Sequence, residues 1–345
     1  MADTGRLVLL FAGDIMGHDA QIDAAYYKES GTYDYNFCFS ELKSTIRKAD
    51  IAIGNLEVTL GGEPYKGYPQ FSSPDELAAA LKDAGFDILI NANNHALDRG
   101  KEGLERTIDV AGQEGLIITG TFKSAKDRET SYPLVVEKNN ILLGILNYTY
   151  GTNGLISAPP NIVNYIDTLL IRNDIQKIKK VNPDFIVACV HWGNEYEPDG
   201  NITQRSLARF LAKEGVDAII GSHPHVVQPF EILYNGADSA DFVPVVYSLG
   251  NFVSNQRERF RNGGIIFRLE LTKTDRTLPT GFSYMPVWVQ KPVLNEITRF
   301  RLIPANNDNK EMVRLKLMKE EQAKLDEFNN DTRQKLLNVP EFHRE

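Results

Sequence analysis

Short runs of apolar and β-branched residues alternate along the chain with stretches of helical periodicity, the pattern of an α/β sandwich. The predicted strands are the short apolar runs at residues 6–12, 50–53, 87–91, 116–119, 133–137, 141–147, 185–190, 217–220 and 243–248. The predicted helices lie between these runs, at residues 36–48, 74–84, 101–113, 166–180 and 203–214. We therefore expect a layered domain in which helices cover β-sheet.

The pattern changes from about residue 265. Residues 265–271 alternate like a strand with one exposed face, and residues 282–289 and 299–303 are expected to extend the same sheet. Residues 309–338 are rich in Lys, Glu, Leu and Gln, which predicts one or two surface helices that cap the domain. The predicted organisation is a main domain over residues 6–265 and a C-terminal segment, residues 266–345, packed on it.

Composition and charge narrow the functional classes. The chain has 345 residues, of which 42% are hydrophobic and 24% charged, as in an ordinary soluble globular protein. The formal net charge of -8 argues against non-specific nucleic-acid binding, which needs a basic surface, but it leaves room for a local basic pocket. Cys38 and Cys189 lie in apolar surroundings and are predicted to be small core residues.

The apolar run at residues 7–12 is too short to span a membrane and leads directly into Gly13. It is better interpreted as a buried first strand than as a signal sequence, so we expect no membrane segment. The predicted location is cytoplasmic as the sequence stands, and extracytoplasmic if a leader was removed.

Polar motifs follow the predicted strands, and five of the six histidines lie in or beside them. The motifs are Gly13-Asp14-Ile15-Met16-Gly17-His18, Gly54-Asn55-Leu56-Glu57, Asn93-Asn94-His95-Ala96-Leu97-Asp98, His191-Trp192-Gly193 and Gly221-Ser222-His223-Pro224-His225. In α/β folds, ligand sites collect at the carboxyl ends of strands. Because neutral imidazole is a common metal ligand and proton shuttle, the motifs predict one metal-dependent or acid/base site.

Each histidine motif also has a structural interpretation. His223 and His225, two residues apart in what we expect to be extended backbone, would point the same way and are interpreted as ligands. His191 is either a ligand or a core residue at a strand end, and His18 is equally balanced between function and structure. Asp14 has helix N-capping as its alternative, but its convergence with the other motifs favours function.

The remaining polar residues divide in the same way. Asn93 is interpreted as a turn residue, whereas Asn94 is assigned with His95 to the site. Glu195 and Glu197 are either partners of His191 or solvent-facing acids, and the sequence leaves both open.

A run of charged residues, Arg257-Glu258-Arg259-Phe260-Arg261, follows the motif Tyr247-Ser248-Leu249-Gly250-Asn251-Phe252. Such a run is usually a solvated loop, but arginine forks suit carboxylates and phosphates, so Arg257 is the predicted contact for an anionic substrate. Asn251 is predicted to touch the ligand as well.

Together these motifs, in this order from about residue 6 to residue 265, resemble the CapA family of capsule poly-γ-glutamate synthesis proteins, which is similar to the calcineurin-like metallophosphoesterases. The resemblance implies a four-layer α/β/β/α sandwich with a metal site at the strand ends. The ligands it implies are Asp14, Glu57 (as a bridging carboxylate), Asn94, His191, His223 and His225. Such ligands suit Mn, Fe or Zn, as one ion or two.

The resemblance also implies that His95 is the acid that protonates a leaving group or stabilises its charge. Two positions depart from the metallophosphoesterase pattern. Met16 stands where that pattern has a His, and Asn55 stands where it has an Asp, so both residues weaken the first metal position. His18 is the residue that would compensate.

Three functions follow as hypotheses. The first is a metal-dependent hydrolase that acts on a phosphate ester or on an amide of an acidic polymer, together with other capsule-synthesis proteins. The second is a non-catalytic accessory protein that binds poly-γ-glutamate or an envelope glycan, which Met16 and Asn55 favour. The third is metal-independent acid/base chemistry on a peptide by Asp14, His18 and His95.

Overall fold

The computed structural model describes residues 4–234, 242–294, 296–306 and 315–344. The strands are β1 (Gly5–Ile15), β2 (Tyr26–Tyr27), β3 (Thr32–Tyr33), β4 (Ile51–Leu56), β5 (Ile88–Ile90), β6 (Ile117–Thr119), β7 (Thr121–Phe122), β8 (Leu134–Lys138), β9 (Ile141–Thr149), β10 (Ile162–Val163), β11 (Phe185–His191), β12 (Ala218–Ser222), β13 (Phe230–Tyr234), β14 (Phe242–Val246), β15 (Asn251–Val253), β16 (Gly263–Lys273), β17 (Thr277–Gln290), β18 (Val293–Leu294), β19 (Ile297–Thr298) and β20 (Arg301–Pro304). The helices are α1 (Asp19–Ala25), α2 (Asn36–Phe39), α3 (Lys43–Ile46), α4 (Glu76–Ala84), α5 (Gly100–Gln113), α6 (Ala125–Ser131), α7 (Thr168–Lys179), α8 (Ile202–Glu214) and α9 (Lys319–Lys335).

Two sheets form the centre of the protein. The first has the order β20-β17-β16-β1-β4-β5-β6, with β15 also paired to β1, and the second has the order β13-β14-β12-β11-β9-β8. Strands β1, β4, β5 and β6 run parallel in the first sheet, as do β9, β11, β12 and β14 in the second. Every strand predicted from the apolar runs is confirmed.

The alternation of side chains along the strands creates three apolar layers. In β1, Leu7 and Leu9 belong to the cluster between the two sheets, whereas Leu10 and Ala12 face the helices on the outer side of the first sheet. In the second sheet, side chains also alternate between the layer shared with the first sheet and an outer face that packs against α7 and α8. The four-layer α/β/β/α sandwich implied by the family resemblance is therefore confirmed.

The single helix predicted at residues 36–48 is wrong. The chain forms two short helices, α2 and α3, separated by a turn. At the break, the Ser40 hydroxyl donates to the Phe37 carbonyl at 2.9 Å, and the Leu42 amide donates to the Phe39 carbonyl three residues earlier. Serine competes in this way with the helical hydrogen-bond ladder, and periodicity alone does not reveal it. The other predicted helices are confirmed.

The C-terminal segment extends the first sheet. Strand β16 runs antiparallel to β1, from Gly5 opposite Lys273 to Ala12 opposite Ile266. Strands β17 and β20 continue outward from β16, as the alternation from residue 265 predicted.

Helix α9 packs Leu325 and Phe328 against Trp288 of β17. It confirms a helix in the region 309–338, of which residues 309–314 lie outside the described residues. Residue 265 falls inside β16, and the division of the chain at that point stays a prediction.

Two smaller expectations concern the cysteines and the membrane. Cys38 and Cys189 are both buried and both free, as predicted for core residues. In the part of the chain that the structure describes, none of the helices combines the length and apolar character that a membrane span requires.

Gly13 marks the tightest contact between two of the motifs. The Asp14 amide donates to the Gly250 carbonyl at 3.0 Å, and a Cβ built on Gly13 would lie 2.0 Å from that carbonyl oxygen. We therefore expect Gly13→Ala to lower the free energy of unfolding by about 2 kcal/mol or more, because backbone must move to admit the methyl group. Denaturant titration measures this change.

The matched control is Gly112→Ala in α5, where a Cβ meets nothing within 4 Å. Its stability is expected to be unchanged or raised by up to about 1 kcal/mol, because alanine favours the helix. A Gly13→Ala protein as stable as the parent would show that β1 and β15 are not packed as described.

Candidate metal centre

The strand ends bring the predicted site residues together. Asp14, near the end of β1, is in register with Asn55 of β4 and with Asn251 of β15. His191 ends β11 opposite Ser222, which ends β12. The carboxyl ends of the parallel strands of both sheets thus meet at one edge of the sandwich.

Three groups of side chains at this edge have ligand atoms within 4.8 Å of one another. They are Glu57 with His191 and His223, Asp14 with Glu57 and His225, and Glu195 with His223 and His225. The first two groups are fully buried and share Glu57. A carboxylate shared by two groups is what a bridging ligand between two metal positions requires.

Unsatisfied polar atoms point into this cluster. Glu57 Oε1 is buried without a hydrogen-bond partner, 3.5 Å from His191 Nε2 and 3.7 Å from His225 Nε2. His223 Nδ1 is also buried without a partner. Buried polar atoms are almost always paired, so these two atoms are available to bind a further group. Carboxylate and imidazole donors around it fit a divalent cation.

Burial and neighbouring groups set the charges of the cluster. Burial and the charge of Asp14 hold the pKa of Glu57 well above its usual range. Burial acts to raise the pKa of Asp14, but hydrogen bonds from His225 and Asn55 outweigh it and keep that pKa below its ordinary value. In the metal-free protein these effects favour the charged form of Asp14 and the protonated form of Glu57.

Burial favours the neutral form of two histidines of the cluster, His191 and His223. Burial and the nearby imidazoles hold the pKa of His191 well below its usual range. Burial, with the charge of His225, lowers the pKa of His223 from 6.5 to about 3. Neutral imidazole is the form that binds metal ions, so no proton has to leave these two rings first.

The two departures from the metallophosphoesterase pattern have different surroundings. Met16 is 2% exposed and lies in the apolar core, where it adds no ligand. Asn55 lies in the cluster, where its Nδ2 donates to Asp14 Oδ1 at 2.8 Å and its Oδ1 accepts from Asn93 at 3.2 Å. The amide nitrogen, not the oxygen, therefore faces Asp14.

The backbone predicted for His223 and His225 is wrong. Both residues lie in a turn after β12 and have positive φ angles, 99° and 59°, instead of extended backbone. Their ring centroids are 6.0 Å apart at an interplanar angle of 58°. His225 Nδ1 is held 3.1 Å from both Asp14 Oδ2 and Asn251 Oδ1. Strained backbone of this kind persists at functional sites when the surrounding contacts fix it.

His191 and Asn94 contact each other. His191 Nε2 lies 2.9 Å from Asn94 Oδ1, and its Nδ1 lies 2.9 Å from Ser222 Oγ. The Asn94 amide nitrogen donates to Asn153 at 3.3 Å. These contacts direct the amide oxygen of Asn94 toward the cluster, as its predicted role requires.

The rings of His95 and His18 both contact Phe71. His95 Nδ1 is 2.7 Å from Asp98 Oδ2, which also accepts from the Phe71 amide at 2.7 Å. His18 is the N-cap of α1, with Nδ1 3.0 Å from Gln21 Oε1. Its ring packs edge-on against Phe71 at 5.4 Å, while that of His95 does so at 4.7 Å. His18 is absent from the three ligand groups of the described residues.

The two residues predicted to bind substrate have different contacts. Asn251 is buried and contacts His225. Arg257 donates from Nη1 to the Val289 carbonyl at 2.7 Å, and its guanidinium lies 5.4 Å from the centroid of the Trp288 ring. Substrate binding by either residue stays a prediction.

Sequence reasoning left Glu195 open and did not single out Tyr150. Glu195 groups with His223 and His225, and the Tyr150 ring lies 4.5 Å from that of His223. Both follow strands that end at the same edge, β11 and β9. That position was the only signal in the sequence.

The fold and the cluster define an α/β/β/α protein with a buried set of carboxylate and imidazole side chains at its strand ends. The family model described as "Bacterial capsule synthesis protein PGA_cap" matches residues 8–256, and the chain belongs to that family. The resemblance to CapA proteins is thereby confirmed.

Two relatives illustrate the match. The PGA biosynthesis protein CapA of Bacillus subtilis (strain 168) is 33% identical over 228 residues, which cover 63% of this chain and 57% of that protein. The capsule biosynthesis protein CapA of Bacillus anthracis is 30% identical over 264 residues, which cover 73% of this chain and 60% of that protein. The chain thus spans less than two thirds of the length of either relative.

Among solved structures, the NAD nucleotidase (NadN) of Haemophilus influenzae has a similar fold. Its TM-score is 0.54 at 13% sequence identity, and the match covers 96% of this chain and 60% of that one. At this identity the likeness concerns the fold alone.

The pKa of His223 predicts a pH dependence of stability for the metal-free protein. Since folding lowers this pKa from 6.5 to about 3, the contribution of neutral His223 is complete above pH 6.5 and is lost as the pH falls toward 3. We expect His223→Gln to make the fall in unfolding free energy below pH 6.5 shallower by up to about 1.4 kcal/mol per pH unit.

Urea titrations in chelator at several pH values measure this difference. Glu57 has a raised pKa and acts in the opposite sense, but it is present in both proteins and cancels from the comparison. Parallel pH curves for the two proteins would contradict the assignment.

Asn55 provides a second prediction. Asn55→Asp removes the donor to Asp14 and adds a third carboxyl group to the buried cluster. Without metal, we expect it to lose about 2 kcal/mol or more of unfolding free energy, because a buried charge is left unpaired. With Mn the variant is expected to gain more in Tm than the parent does, because the cation compensates the added charge.

Thermal denaturation in chelator and in Mn checks both parts. The matched control is Asn173→Asp, at an exposed position of α7, which should change neither value. Equal Tm values for Asn55→Asp and the parent in chelator would contradict the described contact.

Proposed function

We propose that the chain is a metal-dependent hydrolase of capsule polymer metabolism, which cleaves a phosphate ester or an amide bond of an acidic polymer such as poly-γ-glutamate. The observation that carries the proposal is Glu57, a buried carboxyl group shared by two sets of ligands, with one oxygen that has no partner. The names of the two CapA relatives supply the capsule context.

The ligand sets divide between two positions. Glu57, His191 and His223, with the Asn94 oxygen beside His191, would hold one ion. Asp14, Glu57 and His225 would hold a second ion. Mn, Fe and Zn suit this mixture of oxygen and nitrogen ligands. When bound, such an ion supplies Lewis-acid polarisation of a phosphoryl or carbonyl oxygen and lowers the pKa of water.

His95 has the surroundings of a general acid. Its Nδ1 contacts Asp98, and Asp98 is fixed by the Phe71 amide, so the imidazole is oriented by a carboxylate. With Nδ1 taken by Asp98, the other ring nitrogen is left to hold a proton for a leaving group. A positioned acid of this kind contributes roughly 100- to 10,000-fold to a reaction rate.

A second candidate is an accessory protein that binds the acidic polymer without cleaving it, alongside other capsule-synthesis proteins. Met16 favours this candidate, because an apolar side chain in the core replaces a ligand of the metallophosphoesterase pattern. The same residues would then bind the polymer through the cation. Turnover by the purified protein separates the two candidates.

The test combines metal analysis with activity. We expect the parent to bind Mn, Fe or Zn stoichiometrically, and His223→Ala and Asp14→Ala to lose that metal. His95→Ala is expected to keep the metal but to lower kcat at least about 100-fold on phosphoesters or γ-glutamyl amides, because it lacks the acid. His343→Ala, an exposed histidine in the C-terminal segment, is the matched control and should change neither quantity.

Two results would contradict the proposal. If the parent binds no metal after reconstitution, the protein is not a metal-dependent hydrolase. If the parent is fully active in chelator, metal-independent chemistry is favoured. Metal binding and polymer binding without turnover would instead support the accessory protein.

A further inference from the structure

The three arginines of the run at residues 257–261 have different surroundings. Arg257 donates to the Val289 carbonyl and lies over Trp288. Arg259 forms an ion pair with Asp331 of α9, with Nη2 2.8 Å from Oδ1 and Nε 2.9 Å from Oδ2. Both guanidinium groups are therefore engaged within the protein.

Arg261 is not engaged in this way. Its guanidinium carbon lies 3.5 Å from the centroid of the Tyr196 ring, and its side chain is 28% exposed. Its one recorded ion pair is with Glu258, at 3.8 Å, and that carboxylate is itself 65% exposed. Among the residues that the structure describes, none accepts a hydrogen bond from the Arg261 guanidinium. Stacking on a ring fixes the plane of the fork while leaving its N–H donors free.

The backbone and ring contacts tie Arg261 to the metal centre. Its carbonyl oxygen accepts from Asn251 Nδ2 at 2.8 Å, and Asn251 Oδ1 lies 3.1 Å from His225 Nδ1. The Tyr196 ring on which it stacks has its centroid 6.0 Å from that of His225. The free guanidinium is therefore held beside the ligand groups, where part of it faces solvent.

We propose that Arg261 binds an anionic group of the substrate next to the metal centre. The group recognised is a carboxylate or a phosphate, since the arginine fork offers two parallel N–H donors to either. The assignment rests on the proposed function, because it takes the cluster to be the reaction site. It places substrate recognition on Arg261 instead of Arg257.

A second acidic residue, besides the exposed Glu258 that pairs with Arg261, opposes this role. Glu195 is next to Tyr196 in the chain and groups with His223 and His225. A cation in that group would offset its charge, so anion binding by Arg261 is expected to be stronger in the metal-loaded protein than in chelator.

The experiment measures binding by the metal-loaded protein to two probes, a γ-linked glutamate oligomer and inorganic phosphate, by titration calorimetry. We expect Arg261→Ala to raise Kd about tenfold or more for at least one probe, because a charge-assisted hydrogen bond is lost. The Kd of Arg261→Lys should lie between those of the parent and Arg261→Ala, since lysine keeps the charge but lacks the two parallel donors of the guanidinium. Arg259→Ala, which removes the same charge from the same run, should bind like the parent.

The two probes distinguish the sources of the anionic group. Weakening for the glutamate oligomer alone assigns Arg261 to a carboxylate, and weakening for phosphate alone assigns it to a phosphate. Where turnover is found, KM should rise in Arg261→Ala while kcat stays near that of the parent. A purely structural defect would instead lower metal content and Tm. We expect Arg261→Ala to keep both, because Asn251 bonds to the backbone carbonyl of residue 261 and not to its side chain.

Three outcomes would overturn the inference. They are parent-like binding by Arg261→Ala, no binding of either probe by the parent, and loss of metal together with loss of binding. Failure of the proposed function is distinguishable, because it appears as absent turnover in every protein while the Arg261 effect on binding persists.

Discussion

Two carboxyl groups buried in one site are the constraint on which the rest of the structure depends. Asp14 and Glu57 are both fully buried, and two like charges in a low-dielectric interior are costly unless they are compensated. In the described residues, no lysine or arginine is recorded as paired with either one. The Asn55 amide and His225 stabilise the charge of Asp14, while burial and that charge raise the pKa of Glu57 and so favour a proton on it. A cation that displaces this proton would satisfy the whole cluster, including the unpaired Glu57 oxygen.

The scaffold achieves this arrangement by close approach of backbone. A Cβ on Gly13 would meet the Gly250 carbonyl at 2.0 Å, and one on Gly221 would meet the Tyr247 carbonyl at 2.0 Å. These glycines let β1 approach β15, and β12 approach the residues after β14, without side chains between them. The glycines of the motifs therefore allow close packing of the backbone, and this packing places the neighbouring polar residues in the site.

Sequence periodicity predicted the strands, and with them the edge at which the motifs meet, because strand position follows from local apolar runs. Periodicity did not predict features that depend on contacts between residues distant in the sequence. Nothing near Arg259 in the sequence signals Asp331, 72 residues away, and the same holds for Arg257 and Trp288. The turn at His223 likewise depends on neighbouring elements, and the hydrogen bond that ends α2 at Ser40 is too local for a periodicity argument to detect.

The surroundings of His95 distinguish a hydrolase from a polymer-binding protein. Polymer binding through a cation needs the ligands and a cationic side chain such as Arg261, but it has no use for an oriented acid. His95 is nevertheless 2% exposed, and Asp98 is 4% exposed and held by the Phe71 amide. Burying a carboxylate to orient one imidazole is costly and adds no metal ligand. The presence of this pair beside the ligand cluster is therefore the feature that favours catalysis over binding alone.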